Sequence, residues 1–178
     1  VAVYLLCWLL SKKRAGWLTA ALVLFIVDTV ALVVITFALY DSPMGKLVEE
    51  AETLAAGGVR ELIVIAQDTS RYGADLYGKP SLPELLRRLC RIEGLRWIRI
   101  HYLYPDAITD ELIDVIATEP KILHYLDIPL QHISDNMLSA MQRVTDGDYI
   151  RNLLRDIRKA VPGIAIRTTF ITGFPGGD

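Results

Sequence analysis

Cysteine and histidine are scarce in this chain, with two of the first and three of the second in 178 residues. Cys7 lies in an apolar stretch and Cys90 in a helical pattern, and both read as small buried hydrophobes without a redox role. His101 and His124 lack convergent ligands and read as structural, so no metal site is expected from the chain's own residues. An excess of positive charge is missing too. The formal net charge is −2, and since Lys12, Lys13 and Arg14 stand in the first 40 residues, the remainder is more acidic still. That balance argues against a strongly basic surface, and no direct nucleic-acid partner is expected. Repeats and low-complexity tracts are also absent.

One long stretch is almost without charge. Residues 17–40 form a nearly unbroken apolar run whose single charge is Asp28, long enough to cross a bilayer core of roughly 30 Å. The hydrophobic fraction of 52% and the mean hydropathy of +0.33 are high, and the excess sits in the first 40 residues. Residues 1–10 look like the tail of an earlier spanning helix, joined through the basic loop 11–16, so a membrane helix or hairpin over residues 1–40 is expected. The run is too long for a signal-peptide core. Asp28 is either an intramembrane carboxylate with a role or one that pairs locally with Thr29. The basic loop precedes the run, so the positive-inside rule would export everything after residue 40.

From residue 41 the pattern is that of an α/β protein. Pro43 suits a first helical turn, and Leu47, Val48, Ala51, Leu54 and Ala55 recur at helical spacing. Strands are expected over residues 59–66, 97–104, 125–130 and 164–172. Helices are expected over 82–92, 109–117, 135–141 and 149–160, with a long polar loop over 67–80. The run that begins at Tyr125 reads as a strand buried on both faces, and all four runs end in polar or glycine-rich tips. Ligands of parallel α/β sheets sit outside such carboxyl ends. The expected fold is therefore a partial TIM-like (β/α) barrel of about four units over residues 41–178. A half barrel leaves parallel edges open, so the sequence reads as cut at both ends.

The tips carry the candidate site. Gln67 and Asp68 end the first run, Gln131 and His132 the third, and Gly173-Phe174-Pro175-Gly176 the fourth. The glycines let backbone N–H groups approach a ligand closely, although a plain turn uses the same residues. His132 suits a general base or a hydrogen-bond donor, with a structural role as the alternative. Arg143 and Arg167 suit carboxylates of a cofactor or substrate, or a salt bridge at the rim.

Several phrases point to a family. Residues 61–69 (Glu-Leu-Ile-Val-Ile-Ala-Gln-Asp-Thr), Trp97-Ile98-Arg99 with Tyr104-Pro105, residues 125–135 (Tyr-Leu-Asp-Ile-Pro-Leu-Gln-His-Ile-Ser-Asp) and residues 167–176 (Arg-Thr-Thr-Phe-Ile-Thr-Gly-Phe-Pro-Gly) stand in order. Together they resemble the radical S-adenosylmethionine methylthiotransferases of the RimO type, which modify an aspartate of a small-subunit ribosomal protein. The tRNA-modifying relatives share the Gly-Phe-Pro-Gly phrase but are less similar around residues 66–69 and 130–133. The family usually continues that phrase with Glu-Thr, where this chain has Gly177-Asp178.

The resemblance implies a radical-SAM barrel, a cytoplasmic enzyme, a 4Fe–4S cluster, and S-adenosylmethionine held by Gln67, Asp68, Gln131, Arg167 and Gly173, Phe174, Pro175, Gly176. His132 is the catalytic candidate and a small-subunit ribosomal protein the partner. It also implies a Cys-x3-Cys-x2-Cys loop shortly upstream of Ser42, where three thiolates hold the cluster and leave one iron for the cofactor. The apolar run stands there instead. Cys7 and Cys90 cannot form that triad, so this chain alone is expected to be inactive. The family's N-terminal domain and its C-terminal β-domain are missing as well, which makes a barrel fragment fused to an unrelated membrane segment, and a membrane anchor through residues 1–40, the expectation. The alternatives are a fragment of a tRNA-modifying enzyme and a small membrane protein with a non-catalytic binding domain.

Overall fold

Parallel strands leave their backbone groups to be satisfied by sequence-distant neighbours, so each strand here depends on a helical crossover to bring back the next. The computed structural model describes residues 23, 25–27, 29 and 42–176. Two units make up the chain, Val1–Lys46 and Leu47–Asp178. In the first, the described residues between 23 and 29 are helical, and the Thr29 hydroxyl donates to the Phe25 carbonyl at 2.7 Å. Most of the expected membrane segment lies outside the described residues. Among those described, no helix is long and apolar enough to cross a membrane, so the structure lends the expected membrane helix no support.

Helix α1 spans Pro43–Ala56, with Pro43 in its first turn and Ser42 Oγ accepting from the Gly45 N–H at 3.0 Å. Then follow β1 (Glu61–Val64), α2 (Ala74–Tyr77), α3 (Leu82–Cys90), β2 (Trp97–Ile100), α4 (Asp110–Thr118), β3 (Ile122–Asp127), α5 (Asp135–Ala140), α6 (Gly147–Ala160) and β4 (Ala165–Arg167). The strands form one parallel sheet in the order β1-β2-β3-β4. A sequential parallel order with helical crossovers is the arrangement of a TIM-like barrel wall. The expected α/β class and four-unit count hold in the described residues.

Side chains alternate across a strand, and the two faces of this sheet differ. Ile98, Ile100 and Leu126 are fully buried on the helix-covered face. Helix α4 packs on β3 and lies between α3 and α6, adding Leu112, Val115 and Ile116 to the same core. The other face is open and largely polar. Glu61, Arg99, Tyr125, Asp127 and Arg167 project from it, together with half-exposed Ile63 and Trp97. Strand β3 is thus not buried on both faces along its length as the run beginning at Tyr125 suggested.

The strands are also shorter than those runs. After Val64 the ladder ends because the Ala66 N–H turns to the Thr69 hydroxyl at 2.9 Å. The expected loop 67–80 contains a 3-10 turn at Thr69–Arg71 as well as α2. At the end of β2, Tyr102 takes a left-handed φ of 58° and turns the chain out of the sheet. Strand β3 begins earlier than expected and stops at Asp127, just before Pro129, which has no N–H to give. Residues 168–172 do not extend β4 as a regular strand; only the bridge between Gln131 and Phe170 continues the pairing. Helix α6 starts at Gly147, two residues early, because Asp146 caps it by accepting from the Tyr149 N–H at 2.7 Å.

Candidate functional site

Four strand tips converge at the carboxyl edge, and buried hydroxyls tie the first two together. Thr69 and Ser70 are each 2% exposed. Thr69 Oγ1 donates to the His101 carbonyl at 2.7 Å while it accepts from Ala66. Ser70 Oγ donates to Asp68 Oδ1 and accepts from the Tyr104 N–H at 3.2 Å. Arg71 completes the junction by donating to Asp68 Oδ2 at 3.0 Å and to Asp106 Oδ2. Exposed pairs of this kind add only about 0–1 kcal/mol each, so their effect is placement rather than stability. The sequence pattern did not single out Thr69 and Ser70 as chemistry-bearing, because the partners that join the two tips, His101 and Tyr104, stand more than 30 residues away.

The third tip is shaped by Gln131, whose φ of 66° is left-handed. Its N–H donates to the Thr169 carbonyl at 2.8 Å, and its own carbonyl accepts from the Ile171 N–H at 2.8 Å. The main chain is thus pinned, and the side-chain amide turns to Arg143, whose Nη2 donates to Gln131 Oε1. The Arg143 guanidinium also lies over the Tyr104 ring, 5.8 Å from its centroid. Its Nε is buried and has no hydrogen-bond partner. A cation held only by an amide and a ring face, with one N–H orphaned, is under-satisfied, and most buried polar atoms are not. It lines a cleft of about 230 Å³ shared with Asp68, Arg71, Tyr104, Pro105 and Pro129.

Of the residues expected at one ligand, Asp68 and Gln131 meet at this cleft, Gln131 through Arg143. Gln67 is exposed and does not line it, and neither does His132. His132 Nδ1 accepts from the Ser134 N–H at 3.0 Å. In the neutral ring that leaves the proton on Nε2, so the imidazole is set to donate rather than to act as a base. Gly173 and Gly176 have left-handed φ values of 76° and 89°, and a Cβ at either would meet nothing within 4 Å. Their backbone lies open to solvent, away from the cleft lining. Arg167 stands apart on the open sheet face, where its Nη1 donates to Asp127 Oδ2 at 2.9 Å. On the same face Arg99 donates to Glu61 Oε1 at 2.7 Å and lies 4.9 Å from the Tyr125 ring centroid. The His101 ring is 5.6 Å from that of Tyr125. The alternation Trp97-Ile98-Arg99-Ile100-His101 was the available signal for this polar face.

The cleft fits the charged methionyl end of S-adenosylmethionine, because Arg143 lacks a carboxylate and Asp68 retains acceptor capacity for an ammonium group. The described residues do not fit a 4Fe–4S cluster. None of them form a group of three His, Cys, Asp or Glu side chains able to hold a metal, and the sequence has only two cysteines. Cys90 is buried in α3, and burial first, then the Glu119 carboxylate, pushes its thiol from the ordinary 9.0 up to about 12. A raised folded-state value stabilises the fold fully below pH 9, and that contribution is lost as pH climbs from about 9 toward 12. Cys90 is therefore expected to resist alkylation at pH 8 in the folded chain and to react fully in denaturant. Peptide mapping by mass spectrometry checks this, and rapid folded-state labelling at Cys90 would contradict the burial argument.

Comparisons with known proteins agree with this architecture. The Radical SAM superfamily model matches residues 35–178, and so starts a few residues inside the apolar run. The chain is 60% identical over 134 residues to the ribosomal protein uS12 methylthiotransferase RimO of Lachnoclostridium phytofermentans, covering 75% of this chain and 30% of the relative. It is 59% identical over 144 residues to that of Akkermansia muciniphila, covering 73% and 32%. With that of Symbiobacterium thermophilum the identity is 55% over 134 residues, covering 75% and 28%. The chain thus spans under a third of the length of these curated relatives, and the shared part is the sheet with its crossovers and tips. On that match the chain belongs to the radical SAM superfamily, and its likeness within it is to the RimO-type methylthiotransferases.

Proposed function

We propose that this chain carries the S-adenosylmethionine-holding rim of a methylthiotransferase acting on an aspartate of ribosomal protein uS12, a cytoplasmic activity. Arg143 is the single observation that supports the reading most directly. Its guanidinium lines a cleft at the strand tips, has no carboxylate partner among the described residues, and keeps a buried N–H unpaired. In this reading Arg143 takes the methionyl carboxylate and Asp68 the amino group, while Gln131 sets the angle of the guanidinium. The open turns at Gly173 and Gly176 offer backbone N–H groups to the rest of the ligand. Bound S-adenosylmethionine supplies the sulfonium that the family uses as its radical source. The cluster thiolates that accompany it in the family are not among this chain's residues.

Purified chain titrated with S-adenosylmethionine tests the assignment, with the Arg143 Nε–H resonance followed by NMR. The expected result is a shift of that resonance on binding. Arg143→Gln is expected to weaken binding by roughly 10–100-fold, the size of a charge-assisted hydrogen bond of about 1.5–3 kcal/mol. Equal affinity in the variant would remove Arg143 from the cofactor site.

A further inference from the structure

The open face of the sheet holds a second guanidinium whose surroundings differ from those of Arg143. Asp127 and Arg167 are register partners on β3 and β4, and strand alternation puts them opposite the core residue Leu126. Asp127 is 2% exposed, whereas the Arg167 side chain is 56% exposed. A buried carboxylate below an exposed guanidinium is a mount. It takes Nη1 at 2.9 Å and leaves Nε and Nη2 with no acceptor among the described residues. The remaining N–H groups form a planar fork, the shape that receives a carboxylate in two parallel hydrogen bonds. Arg99, the other guanidinium of this face, is already engaged by Glu61 and by the Tyr125 ring. Of the two, Arg167 is the more exposed, its side chain 56% accessible against 29% for Arg99.

Two carboxylates enter the reaction proposed above, one on the cofactor and one on the target aspartate. The Arg143 cleft has about 230 Å³ between three tips and the 142–145 loop. It suits the end of a small molecule. A protein loop needs an open approach, and Arg167 has one. We infer that Arg167, oriented by Asp127, receives the side-chain carboxylate of the aspartate to be modified, and so makes the site selective for aspartate over asparagine. This rests on the function proposed above. Fixing the carboxylate plane also fixes the neighbouring side-chain carbon, which is what positioning contributes to a reaction. Arg167 thereby leaves the cofactor set in which the sequence placed it.

The test uses the full chain and two synthetic peptides that copy the uS12 segment around the target, one with its aspartate and one with asparagine there. Binding is read by fluorescence anisotropy, and a parallel titration with S-adenosylmethionine is read by NMR. The unmodified chain is expected to prefer the aspartate peptide about tenfold. Arg167→Gln is expected to bind both peptides equally while S-adenosylmethionine binding is unchanged. Arg143→Gln is expected to keep the peptide preference and lose the cofactor. Melting curves establish that both variants are folded. Retained preference in Arg167→Gln overturns the inference, as does an Arg167→Gln chain that loses the cofactor instead. Equal binding of both peptides by the unmodified chain overturns the inference alone. Failure of both peptides to bind, with the cofactor still bound, overturns the uS12 reading along with it.

Discussion

Gly147→Ala is expected to lower the melting temperature by 10 °C or more, roughly the effect of about 3 kcal/mol on a domain of this size. An alanine Cβ there would clash with the Ile133 carbonyl oxygen and lie 3.1 Å from Asp135 Oδ1. The first of these is backbone, which cannot swing aside as a long side chain would. The Gly147 N–H donates to Asp135 Oδ1 at 2.7 Å, so α5 and the start of α6 are already drawn together at this point. Relief of the clash has to push residue 133 away, and Gln131 and His132 are its immediate neighbours. Gln131 is held by Thr169 and Ile171 through its main chain and by Arg143 through its amide. The displacement is therefore expected to reach the cleft, seen as a change in the Arg143 Nε–H resonance even below the melting transition. Thermal denaturation followed by circular dichroism gives the first number. A melting temperature within a degree or two of the unmodified chain would show that the 133–135 turn yields freely.

The same contact shows why the site was only partly legible in the sequence. Apolar runs with polar ends identify strands and their carboxyl tips without any long-range information, and all four appeared near the expected places. Asp68 and Gln131 follow from that, since a polar residue at a tip has few other places to go. The ends of the strands were less legible, because they are set by single events such as the Thr69 hydroxyl capturing Ala66 or Tyr102 turning left-handed. The polar open face was hidden by the number of Ile and Leu residues in the same runs, and the run beginning at Tyr125 read as buried on both faces. Pairings such as Arg167 with Asp127 or Arg71 with Asp106 join residues 35–40 apart. No local pattern announces such partners. His132 looked catalytic because it follows Gln131 at a tip, yet its Nδ1 is committed to the turn that starts α5.

Leu126→Ala is expected to cost about 3–4 kcal/mol, in the middle of the usual 2–5 kcal/mol for such truncations. Leu126 is 0% exposed and stands in the second innermost of the strands, with register partners Ile100 on β2 and Ile166 on β4. Helix α4 packs on β3. The cavity would be walled by sheet backbone and by Ile98 and Ile100, both fully buried, and strands held by two neighbours cannot close over a void as a loop can. Leu126→Met, which nearly conserves volume, is expected to lose less than about 1.5 kcal/mol. Urea titration measures both, with the midpoint falling and the slope unchanged if the native state keeps its extent. Asp127 follows directly in sequence but points to the opposite face. Under folding conditions the Leu126→Ala chain is therefore expected to keep the preference for the aspartate peptide that Arg167 confers. A loss below about 1 kcal/mol in Leu126→Ala would mean that this part of the helix-covered face is loosely packed. A folded variant that no longer distinguishes aspartate from asparagine would mean that the Asp127–Arg167 mount depends on the core beneath it rather than on its own ion pair.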